Sequence, residues 1–109
     1  MNDVIKQKID DMIKAKRVVV FMKGSAMMPM CGFSGATLAA LKAAGMAAGE
    51  LATFDVLKDP ELRQGIKDYS SWPTIPQVYI DGKFIGGCDI VKELHAKNEL
   101  ATLLQSKQS

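Results

Sequence analysis

The chain has 109 residues, 48% of them hydrophobic and 24% charged, with a formal net charge of +2. That size and balance predict one soluble globular domain, residues 1–109, and exclude a disordered or fibrous chain. So small a charge gives no bulk electrostatic case for nucleic acid or a membrane surface, and no apolar run approaches the roughly 20 residues of a membrane span.

Residues 3–16 place Ile5, Ile9, Met12 and Ile13 on one stripe among Lys and Asp, which predicts an amphipathic helix. Residues 17–22 contain Val18-Val19-Val20-Phe21, the pattern of a strand covered on both faces. A loop over residues 24–30 follows. Residues 34–44 form a second helix on Leu38 and Leu41, with Gly45 as its stop; Gly35 inside it has no local rationale. Residues 51–57 read as a second strand. Pro60 opens a third helix bearing Leu62, Ile66 and Tyr69, and Ser70-Ser71-Trp72-Pro73 ends it. Val78-Tyr79-Ile80, Asp81-Gly82 and Lys83-Phe84-Ile85 predict a hairpin, because Asp-Gly supplies the positive φ angles of a two-residue turn. Asp89 is expected to cap a fourth helix carrying Ile90, Val91 and Leu94. Leu100, Leu103 and Leu104 mark a last short helical piece before a polar tail, residues 105–109. The order α-β-α-β-α-β-β-α predicts an α/β fold: a mixed four-stranded sheet with helices on both faces, on the plan of a thioredoxin-like domain.

Two cysteines, Cys31 and Cys88, are too few for a disulfide framework and lack zinc-finger spacing, which suits a reducing compartment. Whether they pair with each other is open at this level. Met1-Asn2-Asp3-Val4 has no signal-peptide pattern, and its acidic character argues against a transit peptide. The expected location is a bacterial-type cytoplasm or, for a processed chain, an organelle such as the mitochondrial matrix.

Cys31 stands between a strand and a helix start, where unpaired backbone N–H groups and the helix dipole stabilise a thiolate. A free cysteine also packs well as a small apolar side chain. The following Gly32, the helix start and Lys23 upstream favour the reactive reading. Ser34 stands where a second cysteine would complete a dithiol.

Cys31-Gly32-Phe33-Ser34, with Lys23-Gly24-Ser25 upstream and Trp72-Pro73-Thr74-Ile75-Pro76-Gln77 and Gly86-Gly87-Cys88-Asp89-Ile90 downstream, resembles the motif set of the monothiol, CGFS-type glutaredoxins. These motifs span most of the chain, and the match is to a stand-alone, single-domain member. The resemblance implies a domain that binds glutathione and, as a homodimer, holds a [2Fe-2S] cluster on Cys31 of each protomer and two glutathione thiolates. It implies a cis bond before Pro76, Thr74-Ile75-Pro76 presenting backbone to the cysteinyl part of glutathione, and Arg63 and Lys67 facing its glycyl carboxylate. Gly87, Cys88 and Asp89 would receive the γ-glutamyl end, with Lys23 serving both Cys31 and a bound carboxylate. Arg63 and Lys67 do share a helix face by their spacing; a solvated surface is the competing reading, above all for Lys67. Cys88 is read as a packed side chain, Trp72 as packing beside Pro76, and lone His95 as a surface or interface residue. Met27, Met28 and Met30 depart from the more polar residues expected at such loop positions.

Three functions follow from the resemblance. The leading one is an iron–sulfur carrier acting in cluster assembly and transfer. A glutathione-dependent thiol–disulfide oxidoreductase using Cys31 is the alternative, and a redox-regulatory adaptor for BolA-type partners the third. Ser34 counts against dithiol chemistry, because no neighbouring thiol resolves a mixed disulfide. Iron–sulfur apoproteins are the expected recipients, and no nucleic acid or membrane partner is expected.

Overall fold

Strand β1 (Val18–Met22) is the spine of the molecule, and all five of its residues are buried. The computed structural model describes residues 2–105, so the predicted tail beyond Gln105 lies outside the described residues. Parallel to β1 runs β2 (Leu51–Asp55), and antiparallel to it runs β3 (Gln77–Ile80), which pairs in turn with β4 (Lys83–Gly86). The sheet order is β2-β1-β3-β4, the mixed four-stranded sheet expected. The β3–β4 turn has positive φ at both Asp81 and Gly82, as the Asp-Gly signal requires.

Alternation along β1 assigns its two faces. Val19 and Phe21 join Ile5, Ile9, Leu62, Ile66 and Tyr79 in one core layer, under α1 (Asp3–Met12) and α3 (Pro60–Ser70). Val18, Val20 and Met22 join Leu41, Val78, Val91, Leu100 and Leu104 in the other, under α2 (Gly32–Ala43), α4 (Cys88–Ala96) and α5 (Glu99–Gln105). The Tyr69 hydroxyl of α3 donates to Asp10 Oδ1 of α1 at 2.6 Å, which pushes the phenol pKa up to about 12. Arg17 holds α5 in place: it donates to the carbonyls of Leu103 (2.9 Å) and Leu104 at the helix end, and Nε donates to Asp81 at 3.1 Å. A cation on the last carbonyls of a helix satisfies groups that have no intrahelical partner.

Several element boundaries differ from expectation. The first helix stops at Met12, and β2 ends at Asp55, whose side chain accepts from Leu57 N–H and turns residues 56–58 into a short 3-10 turn. Helix α2 begins at Gly32, two residues early, with extended Cys31 at its cap position. Helix α3 starts at Pro60 as expected, capped by Asp59, which accepts from Leu62 N–H at 3.1 Å. Asp89 is not the cap of α4. Gly87 takes that place, and Asp89 is the second helical residue, where its carboxylate meets the positive end of the dipole without capping it.

The pairing pattern places the site. Parallel β1 and β2 bring their C-terminal ends to one edge, and antiparallel β3 and β4 bring the start of β3 and the end of β4 to the same edge. The segment after β1, the segment before β3, the start of α3 and the β4–α4 junction therefore converge there.

Candidate functional site

The loop that carries Cys31 is a tight turn with a hydrogen-bonded base. Gly24 bridges to Pro29, Met30 N–H donates to the Lys23 carbonyl at 2.9 Å, and Ser25 and Met28 exchange backbone hydrogen bonds at 3.2 Å. Asp55, at the end of β2, accepts from Gly24 N–H at 3.0 Å and so ties the loop base to the sheet. Gly24 has φ +89, and a Cβ there would lie 2.5 Å from Met30 N and 2.6 Å from the Met28 carbonyl oxygen, so no other residue fits this turn. Gly35 is different: a Cβ there would touch Pro29 at an ordinary 3.7 Å, so space does not demand glycine.

Ser34 is fully buried, and its Oγ accepts from Lys23 N–H at 3.2 Å. This bond joins the end of β1 to the first turn of α2 and fixes Cys31 between them. The half-buried Cys31 closes no capping hydrogen bond of its own, yet its thiol pKa lies below that of an ordinary cysteine. The Ser34 backbone N–H is the largest cause; partial burial opposes it, and the Phe33 N–H, the Ser34 hydroxyl and the Lys23 charge add to it. Ser34→Ala removes the hydroxyl and the tie to Lys23. The Cys31 alkylation rate in this variant is expected to reach half its maximum at a higher pH than in the wild type, because the thiolate has lost stabilisation. An unchanged or lower midpoint would show that the hydroxyl does not act on the sulfur.

Opposite Cys31, the Ile75–Pro76 bond is cis. Buried Gln77 shapes this segment: its Nε2 donates to the carbonyls of Trp72 (3.1 Å) and Thr74 (3.3 Å). Ile75 makes no backbone hydrogen bond to another described residue, so its N–H and C=O are open to a ligand. At the β4–α4 junction, a Cβ on Gly87 would lie 3.2 Å from the Pro76 carbonyl oxygen and 3.3 Å from Trp72 Nε1. The missing side chain thus serves the packing of Trp72 and Pro76, in addition to any approach of a ligand.

These elements enclose an open cleft of ≈410 Å³. Cys31, Lys23, Arg63, Lys67, Thr74, Ile75, Pro76, Gly87, Cys88 and Asp89, all singled out from the sequence, line it. So do Phe33, Trp72, Pro73 and Ile90. Lys23, Arg63 and Lys67 have no acidic partner among the described residues, and Asp89 has no basic one. Cys31 and Cys88 are both free thiols, and Cys88 is buried. His95 is half-buried on α4, with no group of metal-ligating residues around it among those described. Asp55, Ser34 and Gln77 position the site through hydrogen bonds to its backbone and do not line the cleft themselves. Gln77 had a faint sequence signal as a polar residue opening an apolar strand; Asp55 had none.

Residues 18–85 match the family described as Glutaredoxin. The chain is 50% identical to an uncharacterized monothiol glutaredoxin of Synechocystis over 96% of its own length and 95% of that protein. This chain belongs to the monothiol glutaredoxin family. It is also 48% identical to the mitochondrial monothiol glutaredoxin-5 of Saccharomyces cerevisiae, over 96% of this chain and 70% of that one. Among solved structures it resembles reduced apo GrxS14 of poplar (TM-score 0.79, 42% identity, 93% of this chain and 90% of that one). The holo form of glutaredoxin C1 from Populus tremula x tremuloides gives TM-score 0.81 at 30% identity, over 94% and 88%. A buckwheat glutaredoxin–glutathione complex gives 0.78 at 25% identity, over 93% and 87%. The thioredoxin-like glutaredoxin fold expected from the sequence is the fold observed. No helix among the described residues is long and apolar enough to cross a membrane.

Proposed function

We propose that this monothiol glutaredoxin binds glutathione along the cleft and, as a homodimer, carries a [2Fe-2S] cluster for delivery to iron–sulfur apoproteins. The observation that carries the reading is the set of unpartnered charges on the cleft wall: three cations and one carboxylate around a thiol of lowered pKa. Glutathione offers two carboxylates, one ammonium, a free peptide edge and a thiol. Arg63 and Lys67 receive the glycyl carboxylate, Arg63 with its two-pronged fork. First-turn N–H groups of α4 receive the γ-glutamyl carboxylate, and Asp89 the ammonium. Ile75 pairs its open backbone with the cysteinyl unit, while Lys23 stands by Cys31. The buckwheat relative solved with glutathione supports this use of the cleft.

A [2Fe-2S] cluster usually takes four thiolates. Among the described residues no group of three or more His, Cys, Asp or Glu could hold a metal, and Cys88 is only 7% exposed. One chain therefore supplies one accessible thiolate, Cys31. Two chains and two glutathiones supply four, so the residues fit a shared cluster and not a private one. Half its ligands would be exchangeable small molecules at an open site, which suits cargo that is handed on. BolA-type proteins are further partners under this reading. The relatives include cyanobacterial and mitochondrial proteins, and the proposal places the carrier in a bacterial cytoplasm or the mitochondrial matrix.

The lowered Cys31 pKa also favours a second reading, weak glutathione-dependent thiol–disulfide exchange, with glutathione as the resolving thiol. Anaerobic reconstitution with iron and sulfide separates the two. With glutathione present the carrier reading expects [2Fe-2S] absorption, and without glutathione none. Colourless protein in both arms, with robust turnover of a glutathione mixed disulfide, would favour the exchange reading.

A further inference from the structure

We propose that the Asp81–Gly82 link in the β3–β4 turn is a covalent modification site, at which a succinimide forms and opens to isoaspartate, and that the Arg17 guanidinium controls its rate. The inference is independent of any ligand of the cleft. Half of the reacting pair stands ready. Gly82 is exposed, a Cβ built on it would meet nothing within 4 Å, and its N–H enters no backbone hydrogen bond among the described residues. Its nitrogen is therefore open to attack the side chain before it, and no side chain of its own hinders the approach.

The other half is restrained. Asp81 Oδ1 accepts from Arg17 Nε at 3.1 Å, and Asp81 N–H donates to the Arg17 carbonyl at 2.9 Å. Both side chains are only 17% exposed. Ring closure has to swing Asp81 Cγ toward Gly82 N, and that motion breaks a charge-assisted hydrogen bond. It also resets the torsion about the Asp81 Cα–C bond, which a two-residue turn with positive φ at both positions holds. Arg17 is fixed in turn from elsewhere. It donates to the carbonyls of Leu103 and Leu104 at the end of α5, and its guanidinium lies 3.5 Å from Glu50. Restraint of the hairpin link thus depends on the docking of α5.

The reaction needs only water. A bond forms from Gly82 N to Asp81 Cγ, and one carboxylate oxygen leaves as water with the amide hydrogen and a proton from solvent. Water then opens the ring. Breaking the bond from Gly82 N to Cγ restores aspartate, whereas breaking the bond from Gly82 N to the Asp81 carbonyl carbon leaves Gly82 joined through the side chain. The isoaspartyl product carries one more carbon in its main chain. A two-residue turn has no slack for that carbon, and the Tyr79–Phe84 and Ile80–Lys83 pairings flank it directly. Strand β4 runs on through Gly86 to Gly87 on the cleft wall, so the modification reaches the cleft through the register of that strand.

The test compares the wild type with Arg17→Gln, Arg17→Lys and Gly65→Ala. Each is kept at neutral pH and physiological temperature for several weeks, and isoaspartate at position 81 is measured by peptide mapping with mass spectrometry and by methylation with an isoaspartyl carboxyl methyltransferase. Urea denaturation gives the stability of each. Gly65→Ala is the control for general destabilisation, because its Cβ would lie 2.8 Å from Ile5 Cγ1 while Arg17 stays intact. Arg17→Gln is expected to accumulate isoaspartate roughly tenfold faster than the wild type, the order expected once ring closure no longer has to break a charge-assisted hydrogen bond. Arg17→Lys keeps the charge but not the fork, so it is expected to fall between the two, and it carries the test if the Gln variant does not fold. Gly65→Ala is expected to follow the wild type. Both Arg17 variants at the wild-type rate would overturn the proposal. So would Gly65→Ala converting as fast as an Arg17 variant of equal stability, which would assign the protection to the fold as a whole.

Discussion

Cys31→Ser is expected to abolish the visible absorption of the reconstituted protein and to leave it monomeric, while Cys88→Ser retains both. The two thiols line the same cleft, yet the structure separates them sharply. Cys31 caps α2 in extended conformation, is half-buried, and has backbone N–H groups and Lys23 lowering its pKa. Cys88 is the first residue of α4, with its side chain buried. A serine hydroxyl at position 31 keeps the shape and removes the soft thiolate that iron requires. At position 88 the same change costs only packing, since buried cysteine behaves as a small apolar group. Bleaching of Cys88→Ser at wild-type fold stability would contradict the ligand assignment.

Gly24→Ala is expected to lower folding stability by about 2–3 kcal/mol and to move the Cys31 alkylation midpoint up towards that of a free thiol. Two penalties add. The backbone is held at φ +89, where side chains are strained, and the new methyl would sit within 2.6 Å of two backbone atoms of the opposite arm. Relief requires the arms to part, which breaks the Met30–Lys23 bond and releases the segment leading into Cys31. Urea denaturation and pH-dependent alkylation measure the two effects. A variant within about 0.5 kcal/mol of wild type, at the wild-type midpoint, would show that the turn does not constrain the thiol.

The sheet and its helices were legible because each element carries its own local signal. Three valines and a phenylalanine in a row mark β1, Asp-Gly marks the hairpin, and Pro60 marks the start of α3. Cys31 and Lys23 were legible from the strand-to-helix junction, and the shared face of Arg63 and Lys67 from their spacing; the rest of the cleft was legible through the joint motif set. Local propensity misplaced the cap of α4: Asp89 is the better capping residue, but the extended Gly87 lies against Pro76 and Trp72, and the helix begins there. Ser34 was read as an absent thiol, whereas its hydroxyl fastens Lys23 to α2 across eleven residues. Asp55 and Gln77 act in the same way, through side-chain bonds to backbone groups that only the folded chain brings near. Contacts of this kind leave no periodicity, so sequence pattern does not show them.

Native mass spectrometry of the anaerobically reconstituted protein tests the central claim most directly. The account predicts a species of two chains, one [2Fe-2S] cluster and two glutathiones, which collapses to monomer when the cluster is lost. A cluster held by a single chain, or a cluster-bound dimer without glutathione, would contradict it.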